Sequence, residues 1–441
     1  MKFYDRKNEL ATLKKIRTRA MKESAFTLVV GRRRVGKTAL LMESFSTGKF
    51  LYLFVARKTE ALLCEGFQKD AEDALGLMIY GNVSRFRDLF SELLTFSESH
   101  PFTLVIDEFQ DFERVNKSIF SDIQNVWDRQ GGKARCNLIV CGSVYSLMVK
   151  QFEDNKEPLF GRATSRLDIK PFTARAMTEI LVDFSPSPAP EDMLCLYMLT
   201  GGVPKYMALL MDAGAFTKDG MLREAIGEGS VFLSDGKEML VSEFGTDYST
   251  YFSILQLIAC GKTSQSEIDS VIGKNTGAYL NNLETKYSII SKQRPLFAKP
   301  GTRNTKWTIA DMYLRFWFGF IYANQSLVES GRLDMLLEIV DGKYKDYSGL
   351  VLEDFFRKKL SEEGRFTKVE KSWDAKGVNE IDIVAVDDIG KRALIAEVKR
   401  DRRRFSEYAL REKALTVEKR LTGYDIEYKG LSLEDVLDTK V

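Results

Sequence analysis

Histidine is almost absent from this chain of 441 residues, since His100 is the only one. It stands beside Pro101 in a polar stretch, which argues against histidine-based catalysis and against a zinc site. Any demanding chemistry must therefore use carboxylates, lysine, arginine and Mg2+. The cysteines also lack metal-ligand spacing and are expected to be reduced core residues. They are Cys64, Cys136, Cys141, Cys195 and Cys260.

Long apolar runs are missing as well. No run of eighteen apolar residues occurs, and the N-terminal stretch MKFYDRKNEL lacks the apolar segment of a signal peptide. We therefore expect a cytoplasmic protein with no membrane partner. A formal net charge of +2 is close to neutral, so only local basic clusters can indicate nucleic acid. The length favours about three domains.

One phosphate-binding pattern stands near the N-terminus. In FTLVVGRRRVGKTALL an apolar strand, 26–30, leads into G-x-x-x-x-G-K-T and then into a helical pattern. Glycines let backbone amides converge on phosphates, Lys37 reaches the β- and γ-phosphates, and Thr38 can hold Mg2+. The residues expected to surround the nucleotide are Gly31, Arg32, Arg33, Arg34, Val35, Gly36, Lys37, Thr38 and Ala39. The three arginine side chains are expected to point away from phosphate as loop charge.

A second strand, 102–106, ends in Asp107 and Glu108. In P-loop enzymes the first such carboxylate supports Mg2+, and the next orients or deprotonates the attacking water. Further strands are predicted within 49–58, near Cys136, and at 165–169. Ser143 follows the strand at Cys136 and is placed to sense the γ-phosphate.

Two basic residues have open interpretations. Arg162 precedes the strand at 165–169 and is either an arginine finger, in cis or on a neighbouring subunit, or a surface arginine paired with Glu157 or Asp154. Lys205 follows a turn at 200–204 and is either a second phosphate sensor or an ordinary surface lysine.

Six motifs in this order resemble the archaeal-type ATPase family of P-loop NTPases, relatives of AAA+ and STAND ATPases. They are YDRKNELATL, the G-x-x-x-x-G-K-T loop, LVIDEFQ, CGSVYSLM, PLFGR with IKPF, and TGGVPKYM. The resemblance covers roughly residues 1–210. It implies an ATP-hydrolysing core with an additional strand and a small helical lid.

The middle of the chain predicts a winged helix. An apolar helix to Cys260, a short helix with the Ser264-x-x-Glu267 capping pattern and a third helix over 276–287 precede two strands, 289–292 and 306–309. The third helix is expected to expose Lys274, Asn275, Thr276, Tyr279 and Asn282, and the wing Lys292, Arg294, Lys299 and Arg303. Such a surface suits DNA, although winged helices in ATPases also serve as protein-interaction or lid modules. The aromatic stripe Leu314, Trp317, Phe318 and Ile321 is interpreted as core.

Near the C-terminus, two apolar strands carry charge. If 388–391 is a four-residue turn, Asp382 lies opposite Glu397, and Glu380 lies opposite Lys399. Opposed carboxylates repel unless a cation sits between them, which favours a divalent-metal site. Glu353, on an upstream helix, can approach that site.

Asp382, Glu397 and Lys399 resemble the D…(E)xK triad of PD-(D/E)xK nucleases. The proline before the first aspartate is absent, and Ile381 stands there. The resemblance implies that the carboxylates hold Mg2+, while the lysine orients the nucleophile or offsets charge. The alternatives are a nuclease-like fold that only binds, or a structural Glu380–Lys399 pair. The basic run 400–404 suits backbone phosphates or is a solvated helix start.

These patterns predict an α/β fold class with five segments. They are a P-loop ATPase core with a parallel sheet and an additional strand at 1–173, a helical lid at 174–245, a winged helix-turn-helix at 246–312, a helical connector at 313–340, and an α/β restriction-endonuclease-like domain at 341–441.

The predicted function is ATP hydrolysis with Mg2+, coupled to DNA binding and DNA cleavage. A STAND-like signalling switch and a DNA-binding ATPase without nuclease activity stay open, as does a homo-oligomer or a protein partner. The expected catalytic residues are Lys37, Glu108, Arg162, Asp382, Glu397 and Lys399, and the expected metal ligands are Thr38, Asp107, Glu353, Asp382 and Glu397.

Overall fold

The computed structural model describes residues 1–45, 48–245, 248–299, 301–302, 304–374 and 379–438. The chain forms two compact units, Asp5–Lys170 and the remainder, Met1–Tyr4 with Pro171–Val441.

The unit at 5–170 alternates strands and helices, as its apolar runs predict. Its elements are α1 (Lys7–Ala20), β1 (Ala25–Val30), α2 (Lys37–Ser44), β2 (Phe50–Phe54), α3 (Glu60–Leu75), α4 (Phe86–Ser97), β3 (Phe102–Asp107), α5 (Phe112–Val115), α6 (Ser118–Gln130), β4 (Cys136–Cys141), α7 (Tyr145–Glu153) and β5 (Ser165–Asp168).

The strands of this unit pair in the order β2-β3-β4-β1-β5, and every pairing is parallel. All residues of β1, β3 and β4 are buried, which explains why their sequences are continuous apolar runs. Phe26 and Leu28 of β1 pack into one core cluster, and Val29 packs into another. The sheet is therefore covered on both faces, and its loops meet at the carboxyl ends of the strands.

The second unit begins with helices. Its elements are α8 (Ala174–Phe184), α9 (Pro190–Thr200), α10 (Pro204–Asp212), α11 (Lys218–Ile226), α12 (Val231–Phe244), α13 (Tyr248–Ala259), α14 (Gln265–Ile272), α15 (Gly277–Asn281), β6 (Ile290–Gln293), β7 (Lys306–Ile309), α16 (Met312–Phe316), α17 (Gln325–Glu329), α18 (Leu333–Glu362), β8 (Lys368–Trp373), β9 (Glu380–Asp387), β10 (Arg392–Lys399), α19 (Glu407–Glu418) and β11 (Asp425–Ser432).

Three helices, α13 to α15, precede the antiparallel pair β6 and β7, as the sequence predicts. The capping box at Ser264 and Glu267 is confirmed, because each side chain bonds the other residue's backbone amide. The third helix differs from the prediction, since α15 ends at Asn281 and a π-helical turn continues to Lys286. The predicted aromatic stripe, including Trp317 and Phe318, lies in the core.

The C-terminal strands form a mixed sheet in the order β11-β10-β9-β8. β9 runs antiparallel to both β8 and β10, and β10 runs parallel to β11. The predicted hairpin register is confirmed, since Arg392 pairs with Asp387 and the ladder continues to Ala396 and Ile383. Asp387 accepts hydrogen bonds from the amides of Ile389 and Gly390, which holds the turn.

Candidate functional site

The phosphate-binding loop joins β1 to α2. Gly31 has φ +150°, and a Cβ added there would lie 2.5 Å from the carbonyl oxygen of Ile169. Gly36 has φ 87° and begins α2 in the left-handed region. Both glycines are therefore required by the backbone, which leaves the helix N-terminus open to an anion.

Lys37 lies across the loop that precedes it. Its Nζ donates to the carbonyl oxygens of Gly31 at 2.7 Å and Arg32 at 3.0 Å. The side chain is 7% exposed. The ammonium is thus held at the centre of the loop, where a phosphate bound by the convergent amides would meet it. Thr38 and Ala39 are exposed in the first turn of α2.

The loop residues between the two glycines differ in exposure. Arg33 is exposed, Arg32 and Arg34 are half-buried, and Val35 is buried. Arg34 has φ 72°. An exposed Arg33 agrees with the interpretation of this arginine as loop charge.

Asp107 ends β3 and collects four hydrogen-bond donors. Its Oδ2 accepts from the hydroxyl of Tyr52 at 2.6 Å and from that of Thr38 at 3.0 Å. Its Oδ1 accepts from Cys141 Sγ at 3.1 Å and from the amide of Glu108 at 2.8 Å. Burial works to raise the pKa of Asp107, but these hydrogen bonds outweigh it and hold the pKa below its usual value. The carboxylate is therefore ionised.

Glu108 is held by the residues around it. Its Oε2 accepts from Ser143 Oγ at 2.7 Å, from the Ser143 amide at 3.2 Å and from Gln110 Nε2 at 2.5 Å. Only glycine fits at position 142 in this arrangement, because a Cβ there would collide with the side-chain amide of Gln110. The structure thus brings together Glu108 and Ser143, which the sequence placed on separate loops.

Arg162 has a different partner from those expected. Its guanidinium bonds Asp128 at 3.1 Å and the carbonyl oxygen of Phe160 at 2.9 Å. The expected pairing with Glu157 or Asp154 is wrong, because α6 brings Asp128 closer. Lys205 is exposed in the first turn of α10.

The third helix of the three-helix segment exposes fewer residues than expected. Lys274 and Asn275 are exposed, whereas Tyr279 and Asn282 are half-buried. The expected exposure of Thr276 is wrong, because this residue is fully buried and its hydroxyl bonds Asp269 at 2.6 Å. A buried hydroxyl needs such a partner, which explains why Thr276 turns inward.

The loop between β6 and β7, here called the wing loop, packs on β8. The Leu296 amide donates to the carbonyl oxygen of Lys371 at 3.1 Å. Asn304 accepts from Trp373 Nε1 at 2.8 Å and donates to the Asp374 carbonyl oxygen at 3.2 Å. The predicted basic residues of this region divide as follows: Lys292 is half-buried, Arg294 and Lys299 are exposed, and Arg303 lies outside the described residues.

Within the C-terminal triad, Asp382 is bonded to a backbone amide and Glu397 is paired with two lysines. Asp382 Oδ2 accepts from the Val398 amide at 2.8 Å. Glu397 Oε1 lies 2.9 Å from Lys399 Nζ and 2.8 Å from Lys413 Nζ. Burial works to raise the pKa of Glu397, but the two ammonium groups outweigh it and lower the pKa.

Glu380 does not pair with Lys399, so the proposed structural pair is wrong. Its carboxylate lies 3.2 Å from the ammonium of Lys306, the first residue of β7, and 4.0 Å from that of Lys371. Lys399 bonds Glu397 on its own strand instead, because residues two apart share one face.

Glu353 reaches the same region from α18. It pairs with Lys371, and Arg357 lies 3.9 Å away. Burial raises the pKa of Glu353, and the nearby Asp382 carboxylate raises it further, against the lowering effect of Lys371. Across the described part of the chain, no group of three or more acidic, histidine or cysteine side chains is arranged to hold a metal.

Three arginines of the basic run at 400–404 pair with acidic side chains of this chain. Arg400 bonds Glu191 at 2.5 Å and Ser348 at 2.6 Å. Arg402 pairs with Asp435, and Arg403 pairs with Asp401 at 2.8 Å.

Several contributors to these sites were not predicted, among them Arg6, Tyr52, Gln110 and Lys413. Arg6 donates to the carbonyl oxygens of Val35 at 3.1 Å and Lys170 at 2.6 Å, so it ties the phosphate-binding loop to the chain after β5. A tyrosine inside an otherwise apolar strand was the available signal for Tyr52. For the others, no local pattern indicated the contact.

Comparison with known proteins agrees with the loop geometry. Residues 3–210 match a family model described as an ATPase domain predominantly from Archaea, and residues 317–411 match one described as archaeal and bacterial proteins of unknown function. The uncharacterized protein MJECL04 of Methanocaldococcus jannaschii is 26% identical over 408 residues, which cover 90% of this chain and 87% of that protein.

Two solved structures were compared with the chain. The Walker-type ATPase paby2304 of Pyrococcus abyssi is 19% identical with a TM-score of 0.55, over 72% of this chain and 96% of that one. The Aeropyrum pernix ORC2 protein, solved as ADPNP-ADP complexes, is 13% identical with a TM-score of 0.48, over 77% and 96%. The first likeness supports the P-loop ATPase fold. No helix in the described parts of the chain is long and apolar enough to cross a membrane.

Proposed function

We propose that Mg2+-dependent ATP turnover in this chain is coupled to DNA binding and to DNA cleavage by the C-terminal domain. The premise is that residues 3–210 match the predominantly archaeal ATPase domain, which makes the chain an ATPase. The observation that carries the ATPase site is the convergence of Thr38 and Asp107 beside Lys37. The Thr38 hydroxyl lies 3.0 Å from Asp107 Oδ2, and oxygen ligands of this kind are those that Mg2+ prefers.

In this site each residue has a distinct role. Lys37 contacts the β- and γ-phosphates, while Thr38 and Asp107 would hold Mg2+, which neutralises phosphate charge when bound. Glu108 orients or deprotonates the attacking water, and Ser143 senses the γ-phosphate. Arg162 acts as a finger only if it leaves Asp128.

The ATPase proposal is tested by Glu108→Gln, with release of inorganic phosphate and binding of a fluorescent ATP analogue measured in parallel. We expect turnover to fall at least about a hundredfold, since general-base catalysis contributes a factor of that order, while binding persists. Glu92→Gln is the control, because Glu92 is exposed on α4 of the same unit and belongs to none of the sites described above. Unchanged turnover in Glu108→Gln would remove Glu108 from the proposed role.

The cleavage proposal rests on the resemblance of Asp382, Glu397 and Lys399 to the nuclease triad, and on Glu353, whose pKa the Asp382 carboxylate raises. Glu397 is paired with Lys399. Glu397 would have to exchange Lys413 for Mg2+ before the site could hold that ion. If Glu353, Asp382 and Glu397 held Mg2+, the ion would supply activation of water and stabilisation of phosphate charge.

Plasmid, linear and branched DNA should be incubated with the protein in Mg2+ or Mn2+, with and without ATP, beside Lys399→Ala and Lys37→Ala. Cleavage that disappears in Lys399→Ala but survives in Lys37→Ala would identify an autonomous nuclease. If no substrate is cut while ATP is hydrolysed, the cleavage proposal fails.

A STAND-like nucleotide switch is the second candidate, and the three donors on Glu108 favour it. A base held by Ser143 and Gln110 must be released before it can act on water, which predicts slow turnover and tightly retained nucleotide. Gln110→Ala should raise turnover under this proposal, whereas a loss of turnover would contradict it.

A DNA-binding ATPase without nuclease activity is favoured by the lysine pairing of Glu397.

The five-segment division, with boundaries after residues 173, 245, 312 and 340, is part of the proposal, as is a cytoplasmic location. The helices α13–α15 with β6 and β7 serve as the winged helix that contacts DNA, and Lys274, Arg294 and Lys299 are among its exposed basic residues.

A further inference from the structure

A cleft of about 550 Å³ opens between the wing loop and the C-terminal sheet domain. Its walls come from the wing loop, the end of β8, the start of β9 and one face of α19. A volume of this size matches a small-molecule site or a single nucleotide. A DNA duplex is wider than either of its grooves and is therefore too large to enter the cleft.

The charged side chains that line the cleft are mostly cationic. Lys299, Lys413 and Arg420 stand against one carboxylate, Asp374. That carboxylate is engaged by Asn379, whose Nδ2 lies 2.9 Å from Asp374 Oδ2. An anion with more than one negative charge is therefore the complementary ligand.

An aromatic side chain gives the cleft a second kind of contact. Phe297 is 39% exposed and has φ 68°, a left-handed conformation that bulky residues adopt rarely. Leu296 and Ile381 supply further apolar lining beside it. Exposed aromatic rings next to cationic groups are the usual platform for a nucleobase attached to phosphate.

Lys413 connects the cleft to the triad. It lines the cleft, and its Nζ also lies 2.8 Å from Glu397 Oε1. Glu397 in turn lies 2.9 Å from Lys399 Nζ. A phosphate bound at Lys413 would therefore compete with Glu397 for this ammonium and weaken one of the two contacts that neutralise the carboxylate.

We propose that this cleft binds one nucleotide unit of a single nucleic-acid strand, with the phosphate at Lys299, Lys413 and Arg420 and the base on Phe297. The inference deepens the proposed DNA cleavage and rests on it, because it specifies an unpaired strand as the form that approaches Glu397. The same chemistry exists in a free nucleoside monophosphate, so the test must separate the two sources.

The test measures the fluorescence anisotropy of a labelled twelve-residue oligothymidylate with the full chain, in EDTA so that no cleavage occurs. The cleft variant combines Lys299→Glu with Arg420→Glu. Lys419→Glu is the matched control, because Lys419 is exposed beside Arg420 and does not line the cleft. Phe297→Ala tests the base contact, and circular dichroism checks folding of each variant.

We expect the cleft variant to weaken binding at least about tenfold and to lower the slope of log affinity against log salt by about 1.4, as the loss of two phosphate contacts predicts. Phe297→Ala should weaken binding at least about fivefold, the lower end of what one stacked base contributes. Lys419→Glu should change affinity less than about threefold. Unlabelled duplex should compete poorly.

Equal effects of the cleft variant and Lys419→Glu would overturn the inference, and so would a duplex that competes as well as the single strand. If thymidine monophosphate displaces the oligonucleotide at concentrations equal to those of the oligonucleotide, the cleft is a binding site whose ligand is a free nucleotide. Binding as expected, but no cleavage after Mg2+ or Mn2+ is restored, would support the cleft and refute the proposed nuclease.

Discussion

The hydroxyl of Tyr52 is expected to stabilise the ionised carboxylate of Asp107, and Tyr52→Phe removes that hydroxyl alone. The two groups lie 2.6 Å apart, and Asp107 is 6% exposed, so solvent cannot replace the lost donor. Burial and the adjacent carboxylate raise the pKa of Tyr52, which keeps the hydroxyl protonated at working pH. The bond is therefore charge-assisted throughout the neutral range.

A hydrogen bond to a charged group contributes about 1.5–3 kcal/mol, whereas a neutral one contributes about 0.5–1.5 kcal/mol. Tyr52→Phe should consequently lower the free energy of unfolding by about 2 kcal/mol in the wild-type background and by about 1 kcal/mol in the Asp107→Asn background. The difference between these values is the coupling energy of the pair.

Hydrogen-deuterium exchange of β3, whose residues are all buried, measures this free energy at neutral pH within the unit at 5–170. Tyr80→Phe is the control, because Tyr80 is 88% exposed in the same unit and should leave the exchange unchanged. A coupling energy of zero within about 0.3 kcal/mol would refute the claim that Tyr52 stabilises the charged form of Asp107.

Gly31→Ala should destabilise the unit at 5–170 by about 1–3 kcal/mol and abolish nucleotide binding, because its φ is +150° and the new Cβ would meet the Ile169 carbonyl oxygen at 2.5 Å. Gly66→Ala is its control, since this helical glycine faces open space and alanine there should stabilise by about 0.5–1 kcal/mol, as thermal unfolding can check. The pKa of Glu397 is lower in the folded protein than its usual value of 4.5. The pairing of Glu397 with Lys413 should therefore stabilise the fold at pH values above 4.5, and this stabilisation should be lost as the pH falls through the lower pKa of the folded state. The melting temperatures of wild type and Glu397→Gln should thus converge in acid, and a gap that widens would contradict this sign.

Local patterns were sufficient wherever neighbouring residues decide the structure. The apolar run before Gly31 predicted a strand, and the residues from Gly31 to Thr38 predicted the loop and the helix start, since both depend on backbone conformation within a few residues. The hairpin register followed from the turn at 388–391, because a short turn leaves one alignment of the two strands.

Long-range contacts were not readable in the same way. Thr276 was expected on an exposed helical face, yet it is buried and its hydroxyl bonds the Asp269 carboxylate of the preceding helix. Arg400 belongs to a run that was interpreted as a phosphate cluster or as a solvated helix start, and neither interpretation indicated that its guanidinium bonds Glu191, 209 residues away along the chain. Side-chain type shows which bonds a residue can make, whereas its partner depends on how distant segments pack.

The sequence by itself determined that this chain has a phosphate-binding loop, a strand that ends in Asp107 and Glu108, and a charged hairpin near its C-terminus. Only the tertiary structure decided that Tyr52 and Thr38 share one oxygen of Asp107, that Ser143 and Gln110 hold Glu108, and that Lys413 engages Glu397. The physical reason is that hydrogen bonds and ion pairs act over about 3 Å. Which groups come within that distance depends on the packing of the sheets and helices, while a motif depends on a few adjacent residues.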